Sequence, residues 1–375
     1  MSTSPAADRS SSNTPASTTA PASSAPGSSP NFTARRFAVI GAGMAGIAAA
    51  RTLMQAGHQV TVFESEATAG GRMVSESTPF GSFDAGAQYF TVRDERFTRA
   101  LDTAPGLCRR WSANLVRVLD AHGRVAEAAL PTLESHWVAQ PSMGALVAHW
   151  AVPLGEHLVT GNRIVRIEAD ALHRAQWQLR AEGDAGESHV YSGFDAVLLA
   201  VPPACARLLL ERSKVSAPLS RGIAKVQASP CWTLMIAFPQ ASQPTLPHLG
   251  PQWNAARSTH HRVAWLARES SKPARETIER WTLQASPTWS QEHLRDSAPR
   301  VEAKLLRAFA EITGIHATPS YVRARCWPEA QTQVPLGKPH LWDGKARIGV
   351  AGDWCMGHRV EDAFLSGLSL ALHVM

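Results

Sequence analysis

Three glycines, Gly41, Gly43 and Gly46, stand at the G-x-G-x-x-G spacing, and the chemistry they permit is close approach of backbone to a phosphate. Gly41 allows a tight turn, Gly43 admits a pyrophosphate, and Gly46 lets a helix pack tightly on its strand. With Ala42, Met44 and Ala45 they make a loop at a helix N-terminus, where unpaired amides and the helix dipole favour an anion. The elements around the loop are those the fingerprint requires. Phe37–Ile40 is a branched apolar run suited to a strand buried on both faces. Ala48, Ala49, Ala50 and Leu53 give the following helix an apolar side, and Gly57 provides a C-cap. Gln59–Phe63 reads as the next strand. Glu64, followed by Ser65, stands at its end, where a carboxylate can accept from ribose hydroxyls. Together these residues predict a dinucleotide site.

Gly70-Gly71-Arg72 follows the second strand, and a remote Gly352-Asp353 turn ends the run Gly349–Asp353. A plain NAD-binding fold has no physical need for that second glycine-acid turn. The combination resembles the flavin-binding pattern of the amine oxidase superfamily. The resemblance implies FAD as cofactor, with Gly71 and Arg72 at its cradle and Gly352 and Asp353 by its ribityl and pyrophosphate part. Gly86-Ala87-Gln88-Tyr89-Phe90, followed by Thr91 and the stretch 93–97, resembles a narrower group, renalase and its bacterial relatives. That likeness implies that Gln88 and Tyr89 lie against the flavin and that the backbone of Ile164 holds the adenine. It also implies that a final helix, Val360–His373, points its N-terminus at the flavin pyrimidine, bringing Arg359, Val360, Glu361 and Ala363 beside the ring.

The resemblance covers nearly everything from Phe37 onward, and the fold it implies is α/β. A FAD-binding Rossmann-type domain, its parallel sheet discontinuous in sequence, is expected from 35–100, 156–205 and 325–375. A second α+β substrate domain, on a mixed or antiparallel sheet, is expected from 101–155 and 206–324. Residues 1–34, rich in Ser, Thr, Ala and Pro, lack the apolar content to offset their ordering entropy and are expected to form a disordered tail.

For chemistry, the likeness implies an oxidase. A substrate hydride passes to flavin N5, and dioxygen reoxidises the flavin to give hydrogen peroxide. Renalases oxidise misreduced dihydronicotinamide isomers between aromatic side chains, and the matching positions are Trp232 and Trp327; the residues alone also allow both to be core tryptophans. Where many relatives carry histidine this chain has Gln284, which can hydrogen-bond a carboxamide but cannot titrate near neutrality. Two other readings stay open. One is a flavin amine oxidase or desaturase acting on an amine or polyene, for which a tyrosine-caged tunnel would be expected, yet the chain has only 3 tyrosines. The other is a non-catalytic flavin-binding protein. Non-covalent FAD is expected, because no cysteine occupies the stretch where monoamine oxidases attach theirs and Cys355 lies beyond the Gly-Asp turn.

Composition narrows the partners. The net charge is +6, but it comes from scattered arginines rather than a basic block, which argues against nucleic acid while leaving a weak pull on anionic substrates. The 5 cysteines form no C-x-x-C pair and the histidines are dispersed, so no metal is expected and a reducing, cytoplasmic setting is. The most apolar run, Ala196–Leu210, is broken by Pro202-Pro203 and Arg207, so no membrane span is expected. A small-molecule substrate and dioxygen are the expected partners; the oligomeric state stays open.

Overall fold

Phe37, Ala38, Val39 and Ile40 are buried on both sides, as a branched run in the middle of a parallel sheet must be. In the computed structural model, which describes residues 33–112, 117–127, 134–183, 185–242 and 253–375, they form β1 (Arg36–Ile40). The expected N-terminal tail lies outside the described residues, apart from its last two positions. β2 (Gln59–Phe63) and β13 (Ala196–Leu199) flank β1 in parallel. β9 (Leu158–Val159) adds to β2, β20 (Ile348–Val350) adds to β13, and antiparallel β19 (Leu341–Asp343) closes the edge. The Rossmann-type sheet is therefore assembled from three remote stretches of chain, as expected.

One face of this sheet is covered by α1 (Met44–Gln55), α3 (Gly144–Ala151) and α8 (Val360–Val374), whose apolar sides share one core with Phe37, Val39, Val60 and Val62. Gly367 sets the approach of α8 to α1, because a Cβ there would overlap the Ala45 carbonyl oxygen. Gly367→Ala is accordingly expected to destabilise the fold by about 1–3 kcal/mol, the usual size of overpacking, read as a lower thermal midpoint. An unchanged midpoint would contradict this packing. The other face carries antiparallel β10 (Asn162–Ala169), β11 (Trp177–Gly183) and β12 (Ser188–Phe194), with α4 (Pro203–Ser213) and α5 (Ala217–Ile223).

The second large sheet has the order β18-β14-β17-β16-β15-β6-β7. Its long centre is β14 (Gln227–Phe238) between β18 (Tyr321–Val334) and β17 (Glu279–Ala285), continued by β16 (Val263–Arg268), β15 (Ala255–Ser258), β6 (Arg117–Leu119) and β7 (Val125–Glu127). Even-numbered residues of β14 (Trp232, Leu234, Ile236, Phe238) face a core shared with the amphipathic α7 (Ala298–Thr313). The short α6 (Pro287–Glu292), capped by Ser286, packs at the same end, with Trp289 in that core. Odd-numbered Met235 and Ala237 face the hairpin of β3 (Ser75–Thr78) and β4 (Gly81–Asp84).

Two boundaries differ from expectation. β5 (Cys108–Trp111), β8 (His136–Ala139) and α3 bury Trp111, Val138, Leu146 and Trp150 in the core of α1, so much of 101–155 packs with the parallel sheet. The short α2 (Glu95–Asp102) does the same through Phe97. Conversely, β18 runs on to Val334 as the partner of β14, so 325–334 belongs to the second sheet. The pairing resumes beyond a bulge at Pro328, with Trp327 opposite Cys231 and Gln331 opposite Ser229.

Candidate active site

The glycine loop lies where β1 ends and α1 begins, stitched to its neighbours by backbone. Gly41 donates to Phe63 O at 2.7 Å, and Gly70 donates to Ala42 O at 3.0 Å. Glu64 is buried against the same loop, taking the Ala42 amide at 2.8 Å, the Glu66 amide at 3.0 Å and the Ser65 hydroxyl at 3.2 Å. Two of the three loop glycines have internal reasons to be glycine. Gly41 has φ +103° and faces the Ala200 carbonyl, and a Cβ on Gly46 would overlap the Gly41 carbonyl.

Gly43 has neither reason. Its φ of −76° suits any residue, and the nearest atom to an added Cβ is Gly71 Cα at 3.9 Å. Gly71 faces it in return, its own added Cβ falling 3.1 Å from Gly43 Cα. Two glycine turns thus lie against each other, within van der Waals reach, beside the N-terminus of α1, with Met44 and Ala45 in its first turn. A cradle of bare backbone at a helix N-terminus fits a dinucleotide pyrophosphate.

Arg72, directly after Gly71, bridges to the remote turn. Its guanidinium forms a two-pronged pair with Asp353, with Nη1 3.1 Å from Oδ2, and Nη1 also donates to Ala330 O at 3.2 Å. Asp353 is buried, and Gly352 is fixed by its amide donating to Ser366 Oγ on α8 at 2.9 Å. The GGR and Gly-Asp motifs, 281 residues apart, are therefore one structural feature.

The turn 84–89 follows. Gly86 has no room for a side chain because the Arg72 carbonyl lies against it, and Ala87 donates to that carbonyl at 2.8 Å. Across from it, Gln284 Nε2 donates to Gly86 O at 2.7 Å and Trp327 Nε1 to Ala85 O at 2.9 Å. Both side chains thus face the turn, and their N–H groups hold its backbone. Trp232 is a correction. Trp327 is registered opposite Cys231, so Trp232 points to the other face, into the α7 core, with its indole N–H on His293 O at 3.1 Å. Trp232 and Trp327 cannot frame one ring.

Other assignments also shift. The Glu361 carboxylate accepts from the Arg93 and Asp94 amides through Oε1, each at 2.7 Å, and so fastens α8 to the 93–94 turn. Arg359, Val360 and Ala363 do sit at the N-terminus of α8; the Arg359 amide donates to Asp362 at 3.0 Å. Ile164 is registered opposite Ala181, and the register skips Val165, which is therefore the residue with backbone groups outside the ladder. Gln88 is buried and held on both ends, Nε2 on the Asp84 and Gly86 carbonyls and Oε1 under Lys272 Nζ at 3.3 Å. Tyr89 stands edge-on to His136, ring centroids 4.2 Å apart, and 5.6 Å from Trp265. Burial lowers the His136 pKa first, with Arg257 pushing the same way and Glu134 opposing.

Sequence reasoning missed two groups here. Trp265 shares a register row with Arg257, Gln284 and Thr233 across the sheet face, and its buried indole N–H has no partner. Beside the turn lies a fully buried quartet. Lys272 bonds Asp84 at 2.8 Å and Glu269 at 3.0 Å, and Arg275 bonds Asp84 at 2.9 Å. The one available signal was Asp84, an acid at the end of an apolar strand. Lys272 lies 188 residues away in what reads as a plain turn. Among the described residues no cluster of His, Cys, Asp or Glu could hold a metal ion, and no helix is long and apolar enough to cross a membrane.

Comparison with known families decides the matter. The flavin containing amine oxidoreductase family matches residues 127–375, and an NAD(P)-binding Rossmann-like domain matches residues 39–104. This chain belongs to the flavin-containing amine oxidoreductases. It is a flavin-dependent oxidoreductase by family, and the bare backbone at Gly43 and Gly71 beside Arg72 is compatible with a flavin nucleotide. Mitochondrial protoporphyrinogen oxidase of Nicotiana tabacum is 42% identical over 77 residues, 20% of this chain and only 15% of that protein. Among solved structures, a putative protoporphyrinogen oxidase from Exiguobacterium sp. 255-15 superposes with a TM-score of 0.68 at 12% identity, over 92% of this chain and 99% of that one. A putrescine oxidase variant with redesigned cofactor binding gives 0.66 at 12% identity, over 91% and 98%. At such identity these likenesses establish the fold.

Proposed function

We propose that the protein is a renalase-like oxidase that holds FAD non-covalently and oxidises a small, neutral or anionic planar donor of the dihydronicotinamide type. The observation that carries the substrate class is the charge on the sheet face beside the 84–89 turn. Glu76 and Glu269, the carboxylates bonded to residues of that face, are already paired, Glu76 with Arg323 and Arg325 and Glu269 with Lys272. Exposed Arg257 adds a cation at the same level. A face with its carboxylates neutralised and arginines to spare disfavours a cationic amine.

A bound flavin would supply the hydride acceptor and the route of electrons to dioxygen, with hydrogen peroxide as product. The chain's own groups bind and orient the donor. The unpaired Trp265 N–H offers a hydrogen bond to a carboxamide oxygen, Gln284 keeps a free acceptor in its carbonyl oxygen, and Tyr89, His136 and Trp265 form an aromatic wall that excludes water.

Anaerobic titration of the yellow protein with isomeric dihydronicotinamides should bleach the flavin, and aerobic turnover should release peroxide. Bleaching by amines alone would replace this reading with that of an amine oxidase, as in the putrescine oxidase of similar fold. Acid precipitation should leave the flavin in the supernatant. Cys355, the cysteine next to the cradle, is fully buried and burial pushes its thiol up to about 12, so no thiolate is on hand for attachment. A yellow pellet would contradict non-covalent binding.

A further inference from the structure

The buried quartet holds two acids and two bases. Asp84 and Arg275 already make a neutral pair, and the remaining Asp84 oxygen, Oδ1, accepts from the Met143 amide at 2.9 Å and the Ser75 hydroxyl at 2.7 Å. Arg275 also donates to Ala139 O at 3.0 Å. Lys272 and Glu269 add a second pair whose desolvation is costly and which apolar residues could replace. What that pair does beyond compensating itself is visible at Lys272. Its three protons go to three acceptors, Asp84, Glu269 and the Gln88 carbonyl oxygen. An ammonium at that point permits only one orientation of the Gln88 amide. With Oε1 under Lys272, Nε2 must face the Asp84 and Gly86 carbonyls, which is where it lies. Gly86 O is also the acceptor for Gln284, so both sheets meet on this one turn. Thr282 donates to Glu269 Oε1 at 2.7 Å, holding the carboxylate that accepts from Lys272.

We propose that Lys272 is a positioning residue for the flavin: clamped between Asp84 and Glu269, it sets the Gln88 carboxamide and through it the Gly86–Tyr89 turn beside the cofactor. The lysine touches no reacting atom in this account and acts through Gln88. The proposal rests on the reading that Gln88 and Tyr89 border the bound flavin.

Lys272→Met alone leaves two buried carboxylates against one cation, so the informative variant is Lys272→Met with Glu269→Gln, which keeps Asp84–Arg275 neutral. Its flavin-free form should melt close to wild type. FAD should bind about tenfold more weakly, the size of one hydrogen bond to a charged group. The visible spectrum of bound flavin should change in the same way as in Gln88→Leu. Adding the pair to Gln88→Leu should cost nothing beyond Gln88→Leu alone, since the clamp acts only through that amide. Wild-type affinity and spectrum in the charge-balanced variant would overturn the proposal, as would additive losses in the combination. Failure of that variant to fold would also overturn it, by assigning the pair to stability. A wild-type chain that took up no flavin would overturn the functional reading as well, whereas normal wild-type uptake with an unaffected variant overturns the proposal alone.

Discussion

Gly43→Val is expected to yield a folded protein that takes up no flavin. The backbone at Gly43 is ordinary, with φ −76° and ψ −177°, so valine brings no conformational strain. The nearest atom to the new Cβ is Gly71 Cα at 3.9 Å, ordinary van der Waals contact, so the flavin-free fold should be retained. The side chain would stand on the bare-backbone surface of the loop at the helix N-terminus, where the pyrophosphate would approach. Loss of binding without loss of thermal stability separates this position from Gly41 and Gly46, where any side chain meets a carbonyl and the fold itself should suffer. Asp353→Ala should weaken FAD less, because Arg72 keeps its bond to Ala330 O. Near-normal flavin occupancy in Gly43→Val would refute the cradle.

Asp84→Asn should produce the largest loss of stability. It removes the negative charge facing both Lys272 and Arg275, all of them with fully buried side chains. Stripping one partner from a buried ionic cluster costs about 3–5 kcal/mol, a large share of the about 5–15 kcal/mol that holds a domain together. The pH dependence has a definite sign. Burial alone would raise the Asp84 pKa, but Lys272 and Arg275, with hydrogen bonds from Lys272 and the Met143 amide, hold it well below the usual carboxylate range. A depressed folded value means stability that is present above the unfolded pKa of about 4 and is lost as pH falls below it. Glu269 runs the other way. Its pKa is raised, chiefly by burial, so its contribution is present below the unfolded value and is lost as pH rises through the folded one. Denaturant melts across this acid range should show a steep decline in wild type and a shallower one in Asp84→Asn. Equal slopes would remove Asp84 from the account.

The parallel sheet and its cradle were legible in the sequence because their signals are local. Phe37–Ile40, the glycine spacing and Glu64 each mark their structure within a few residues, and the structure stitches them directly together. The Arg72–Asp353 bridge was legible only as a resemblance, since nothing local says that remote turns meet. The substrate side was harder to read for a reason of geometry. In a strand, adjacent residues point to opposite faces, so an aromatic count along Cys231-Trp232-Thr233 does not say which side chain faces the site, and only the register against Trp327 excludes Trp232. Lys272, Arg275 and Trp265 left no trace, because their roles depend on partners far along the chain. The bond from Glu361 to the 93–94 turn was likewise illegible, since it too joins remote stretches of chain.

The most direct measurement is flavin content. The purified chain, supplied with FAD and then freed of excess by gel filtration, should emerge yellow with stoichiometric flavin. Exchanging Arg72 for Met, which removes the bridge between the two glycine turns, should sharply reduce it. A colourless wild-type protein, or full flavin retention without Arg72, would contradict the claim that the two turns enclose one nucleotide.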